Sequence, residues 1–257
     1  NMTKIKVSAV SYLNTKPFLL GLEKTGLINQ IDLSLDIPSQ TAQKLQKQNV
    51  ELALVPVAVL PFLKNYEIVT DYCIGTVGKV RTVALYSKCP LSEIKTVLLD
   101  YHSRTSVQLV QFLFREFWRQ DVEFVTAYEG FEHDISGTTA GLIIGDRTIK
   151  WEKKLPYSYD LGEMWLKHTG LPFVFAAWVA TRPLPPLFLE KLNEAFRIGM
   201  NSINEVVALY ENKYDASFDL QYYLTKNISF DLDAEKRKGL DLFLRYIRAN
   251  ELMRHDV

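Results

Sequence analysis

Ser11, Asn14 and Thr15 crowd the few positions between an alternating apolar stretch, Ile5–Val10, and the proline at position 17. Hydroxyls and an amide placed there offer both donors and acceptors. If Pro17 opens a helix, the free N–H groups and positive dipole end beside it favour an anion. Small polar residues at such a junction also serve simply to turn and cap the chain. A second group, Ser103, Arg104, Thr105 and Ser106, precedes Val107, Val110, Leu113, Phe114 and Phe117, whose spacing is helical. Here Ser103 is the natural cap. Arg104 either grips a carboxylate bidentately or is a solvated surface charge. Thr82, within the bend from 78 to 83, supplies another hydroxyl or is a β-branched strand residue. Gly145, Asp146 and Arg147 form a third polar junction. Asp146 offers a general base or a partner for Arg147, and the ion pair is the expected use.

Other chemistries lack their residues. His102, His133, His168 and His255 stand far apart, with no carboxylate or thiol at ligand spacing, so no metal is expected. GxGxxG after a strand, GxxxxGK[ST] and GxSxG are all missing, which leaves no sign of a dinucleotide, a nucleoside triphosphate or a nucleophile elbow. No cofactor is therefore expected. Cys73 and Cys89 read as buried free thiols rather than a disulfide. With 30 basic and 30 acidic residues, the 257-residue chain has no net charge to draw nucleic acid or an anionic membrane. No apolar run approaches the roughly 20 residues of a membrane-spanning helix. Lys4-Ile5-Lys6-Val7 leads straight into a strand without a signal-peptide pattern, and Asn1 before Met2 resembles a tag scar. A cytoplasmic protein, monomeric or weakly dimeric, is expected.

The elements that must position these groups alternate between strand and helix. Strands are expected at 5–10, 31–37, 51–55, 73–86, 96–100, 122–125, 140–144 and 173–180, with helices between them and a mostly helical last 75 residues or so. The residues from 57 to 63 read as a helix, and Leu192, Phe196, Met200, Ile203 and Val207 as one helical face. This is an α/β fold with a largely parallel sheet. The return of apolar strand signal at Phe173 implies two lobes with a ligand cleft between them. Lobe one would comprise 1–88 and 178–257, and lobe two 89–177, joined by adjacent hinge strands at 86–89 and 177–182. Polar turns from both lobes would then face a small carboxylate.

Several stretches together resemble one family. They are Val10-Ser-Tyr-Leu-Asn-Thr-Lys-Pro17, Ser103-Arg-Thr-Ser106 before its apolar helix, Gly141-Leu-Ile-Ile-Gly-Asp146, Tyr159-Asp-Leu-Gly-Glu163 and Thr169-Gly-Leu-Pro-Phe-Val-Phe-Ala-Ala-Trp178. The chain is similar to the chorismate dehydratases of the futalosine route to menaquinone. The resemblance implies a periplasmic-binding-protein type 2 fold and a lyase that removes water from chorismate to give 3-[(1-carboxyvinyl)oxy]benzoate. It implies Asn14 and Thr82 as the catalytic residues, Thr82 standing where the family often has serine. It makes the 103–106 turn a carboxylate cradle, with Ser11, Thr15, Gly145 and Asp146 also on the substrate. A non-catalytic binding or sensor module for a small carboxylate is the other function that this pattern allows.

Overall fold

The computed structural model describes residues 3–100 and 102–255. The tag-like start at Asn1 and Met2 lies outside the described residues, as does the side chain of His255. The chain begins β1 (Ile5–Val10), α1 (Lys16–Lys24), β2 (Ile31–Asp36), α2 (Pro38–Gln46), β3 (Leu52–Pro56) and β4 (Glu67–Thr76). It continues with β5 (Val83–Ser87), β6 (Thr96–Leu99), α3 (Arg104–Phe112), β7 (Glu123–Thr126), β8 (Thr139–Ile144), α4 (Arg147–Trp151), β9 (Tyr157–Asp160) and α5 (Leu161–Thr169). It ends with β10 (Phe173–Ala180), α6 (Pro186–Met200), α7 (Ile203–Tyr210), α8 (Leu220–Tyr222), β11 (Ser229–Asp231) and α9 (Ala234–His255).

The strands form two mixed sheets. The first has the order β11-β4-β10-β3-β1-β2, the second β7-β6-β8-β5-β9. In the first, β1 is parallel to β2 and β3, with Val7 opposite Leu33 and Leu52. β10 lies antiparallel between β3 and β4. Every residue of β3 is buried, as its unbroken apolar run requires. In the second sheet β6 is parallel to β7 and β8, while β5 is antiparallel to β8 and β9.

Local sequence explains the helix starts that matter. Pro17 opens α1, Ser103 Oγ accepts from the Ser106 N–H at the start of α3, and Asp160 accepts from the Glu163 N–H at the start of α5. α1 is then pressed onto α6 at a glycine contact. A Cβ on Gly21 would run into the Ala195 carbonyl, and one on Gly199 into the Pro17 carbonyl. Behind that contact, Phe18, Trp178 and Phe196 pack with centroids 4.7–5.6 Å apart. Each such pair adds about 0.5–1.5 kcal/mol to the burial of its area. Because backbone rather than a flexible side chain would have to yield, Gly21→Ala is expected to cost about 1–3 kcal/mol. Denaturant unfolding of that variant measures it, and an unchanged midpoint would show that the two helices have room to part.

Some expectations need correcting. The chain leaves the first sheet after Thr76 and returns to it at Phe173. Tyr86 therefore already belongs to the second sheet, and Ala177 already to the first. The passages between the sheets are residues 77–82 and 170–172, not 86–89 and 177–182. The stretch 73–86 is not one bent strand, because Gly78 and Arg81 take φ values of 94° and 80° and break it. The segment Val57–Phe62 is 3₁₀ rather than α, with Pro61 inside it withholding a donor. The helical face expected across Leu192 to Val207 is split between α6 and α7.

Candidate active site

Between the two sheets lies a cavity of about 580 Å³. Ser11 and Asn14 reach it from the end of β1, and Thr82 from the first passage between the sheets. The turns before α3 and α4 add Ser103, Thr105 and Ser106, then Gly145 and Asp146. Lys16, Tyr210, Lys213, Tyr214 and Tyr223 close the remaining side. Eight of the ten residues expected to act thus share one wall or another of a single cavity.

Asn14 sits in the 3₁₀ turn Leu13–Thr15, closed by the Thr15 N–H donating to the Tyr12 carbonyl at 3.0 Å. Its Nδ2 donates to Tyr223 Oη at 3.5 Å, while its Oδ1 is buried without a partner among the described residues. Thr82 Oγ1 lies 3.0 Å from the same Tyr223 hydroxyl. Burial pushes the Tyr223 phenol up to about 12, so it stays protonated throughout the neutral range. Both carboxylate oxygens of the buried Asp160 hold the passage that carries Thr82. They accept from the Val80 and Arg81 N–H groups at 3.0 and 2.8 Å. The Thr82 carbonyl accepts from the Gly145 N–H at 2.8 Å, so the Thr82 and Asp146 turns are tied together. Gly145 itself has φ 76°, which a side chain there would strain.

Two expected site residues lie elsewhere. Arg104 does not line the cavity; its guanidinium is 5.5 Å from the Phe62 ring, in a separate pocket formed with Ser39, Gln43 and Gln46. Successive helical residues turn by about 100°, and Thr105 and Ser106 face inward, so Arg104 must face out. Thr15 is buried off the cavity wall, with its hydroxyl unpartnered among the described residues. Of the 103–106 turn, the cavity wall holds Ser103, Thr105 and Ser106. Thr105 Oγ1 is engaged by the Ala58 N–H at 3.2 Å.

Nor does Asp146 pair with Arg147. Arg147 turns to the buried carboxylates of Asp100 and Glu132, the latter at 2.6 Å. Asp146 stays exposed at the cavity mouth, where partial desolvation by the walls raises its carboxyl above the usual range. A raised acid binds its proton more tightly in the native than in the unfolded state. The ionised carboxylate therefore costs stability once the pH exceeds the native value, and costs nothing below the unfolded one. Asp146→Asn should accordingly raise the melting temperature at pH 7 and leave it unchanged in acid. A lower melting temperature at pH 7 would restore the ion pair with Arg147.

Sequence reasoning missed Tyr223, which lies in an aromatic-rich tail that reads as core. It also gave no role to Lys16 and Lys213, whose ammonium groups sit 5.2 and 5.0 Å from the Tyr210 ring centre. Neither lysine has a carboxylate partner among the described residues.

Two mixed sheets with strand ends and helix starts converging on a cavity between them define a periplasmic-binding-protein-type fold. A crystal structure of a protein from Archaeoglobus fulgidus matches it with TM-score 0.70 at 16% identity, over 97% of this chain and 98% of the other. The periplasmic aliphatic sulphonate binding protein of Escherichia coli matches with TM-score 0.60 at 12% identity, over 98% and 94%. Within that class the chain belongs to the menaquinone biosynthesis family, whose model matches residues 5–249. It is 28% identical to the chorismate dehydratase of Thermus thermophilus, over 89% of this chain and 94% of that protein. It is 23% identical to the chorismate dehydratase of Campylobacter jejuni, over 95% and 97%. Among the described residues no helix is long and apolar enough to cross a membrane.

Proposed function

We propose that the chain is a hydro-lyase that converts chorismate to 3-[(1-carboxyvinyl)oxy]benzoate in the futalosine route to menaquinone. The observation that carries this reading is the meeting of Asn14 and Thr82, both residues of the cavity lining, at one buried hydroxyl, with the Asn14 Oδ1 buried and unpartnered among the described residues. An orphaned buried acceptor costs stability in the free protein, so a ligand donor is its natural complement. Chorismate supplies one in its C4 hydroxyl. It also carries two carboxylates. In this reading one is taken by the α3 start with Ser103 and Ser106, and the other by the rim where Lys16 and Lys213 approach Tyr210. We read the two sheets as the cores of two lobes that meet at this substrate.

The reaction asks little of the protein. The C3 hydrogen leaves as a proton, its bonding electrons enter the ring, and the C4 hydroxyl departs as water. Aromatisation drives the step, so orientation and suppression of competing rearrangements remain as the enzyme's tasks. In our reading a substrate carboxylate receives the C3 proton. The carboxylate passes that proton to the departing hydroxyl, which leaves as water. A hydrogen bond from Thr82 steadies that hydroxyl, and the N–H groups at the start of α3 balance the charge. Incubation with chorismate, followed by mass spectrometry, tests this directly. The product should be lighter by one water and carry a benzene ring. Chorismate bound but recovered unchanged would make the chain a carboxylate-binding module instead.

A further inference from the structure

Tyr223 is 3% exposed and opens a single π-helical turn, Tyr223–Asn227, directly after α8. Asp219 caps α8 by accepting from the Tyr222 N–H at 2.9 Å, and Phe218 packs on the Tyr223 ring with centroids 5.4 Å apart. The position of the phenol is thus set by its own segment. Its hydroxyl nevertheless meets two residues from distant parts of the chain, Asn14 and Thr82.

A phenol has one proton to give. With the Asn14 amide oriented as in this structure, its Nδ2 donates and cannot accept, so the Tyr223 proton has one destination among these contacts, Thr82 Oγ1. The Thr82 proton is then released from Tyr223 and is free to point into the cavity. Hydrogen bonds in such a chain polarise one another, each acceptor becoming a better donor. We propose that Tyr223 is a positioning residue: it joins Asn14 to Thr82 and fixes their polarity, presenting the Thr82 hydroxyl as donor and the Asn14 Oδ1 as acceptor to the hydroxyl that leaves. This rests on the chorismate reading and acts at the same site. Because burial pushes the phenol up to about 12, it is protonated at neutral pH and the relay holds its direction there.

The test is a double-mutant cycle on chorismate turnover, run with the wild type alongside. Tyr223→Phe should lower kcat ten- to a hundredfold with KM changed less than threefold, while the melting temperature moves by only a few degrees. In a Thr82→Val background the same change should cost less than threefold, because Tyr223 acts through Thr82. Equal losses in both backgrounds, or undiminished kcat in Tyr223→Phe, would overturn the assignment. Should the phenylalanine variant not fold, Tyr223→Met removes the hydroxyl while a flexible side chain fills the space, and it is held to the same two outcomes. A wild type that leaves chorismate intact overturns the function itself, and this inference with it. A wild type that turns over beside an unimpaired Tyr223 variant overturns only this inference.

Discussion

Asn14→Ala is expected to lower kcat/KM for chorismate by one to three orders of magnitude, about 1.4–4 kcal/mol of transition-state stabilisation. The substitution removes together the Oδ1 that has no partner among the described residues, the proposed acceptor for a substrate hydroxyl, and the Nδ2 donor to Tyr223. Folding should change little. The Thr15 N–H to Tyr12 carbonyl bond that closes the turn is backbone to backbone, and Pro17 still opens α1. Loss of a buried acceptor that has no partner even removes a small cost. If Asn14 were only a turn former, the variant would melt earlier and its folded fraction would turn over normally. Melting temperature and chorismate turnover on one preparation separate the two, and normal turnover per folded molecule removes Asn14 from the site.

Thr82→Val should lower kcat/KM ten- to a hundredfold, with Thr82→Ser near wild type. Valine fills nearly the same volume and is β-branched like threonine, so the change isolates the hydroxyl. It strands the Tyr223 phenol, whose other contact is the weaker donation from Asn14 at 3.5 Å. An abandoned buried polar group of this kind costs about 1–3 kcal/mol, so the valine variant should also melt earlier. Serine keeps the hydroxyl and drops a methyl, which the relay does not use. A serine variant as poor as valine would transfer the role from the hydroxyl to the methyl's packing.

Much of this was legible in the sequence because period changes are local. β10 falls at Phe173–Ala180 as expected, since a strand buried in a sheet centre reads as an unbroken apolar run. The polar junctions at 11–15, 103–106 and 145–147 stand out where a strand pattern gives way to a helical one, and the cavity draws on all three. Direction was harder. Arg104 and Arg147 both stand at helix starts, and only the rotational phase of α3 and the buried acids Asp100 and Glu132 decide where each side chain goes. Tyr223 was not legible at all. Its partners lie 141 and 209 residues away, and no local pattern in the tail carries that relation.

The placement of β10 has a consequence for the order of assembly during synthesis. β3 and β4 follow each other closely in the chain, yet they are not neighbours, because β10 separates them. That strand is made about a hundred residues after β4, once the whole second sheet has been laid down. Until it arrives, β3 and β4 each lack the strand that pairs with them in the finished sheet, and the wholly apolar β3 stays open on that side. The first sheet thus waits, while the second is made, for the strand that joins its two parts. Non-local closure of this sort is slow. The same late strand carries Phe175 and Ala176 into the cavity wall, so the strand that completes the centre of the first sheet also lines the cavity.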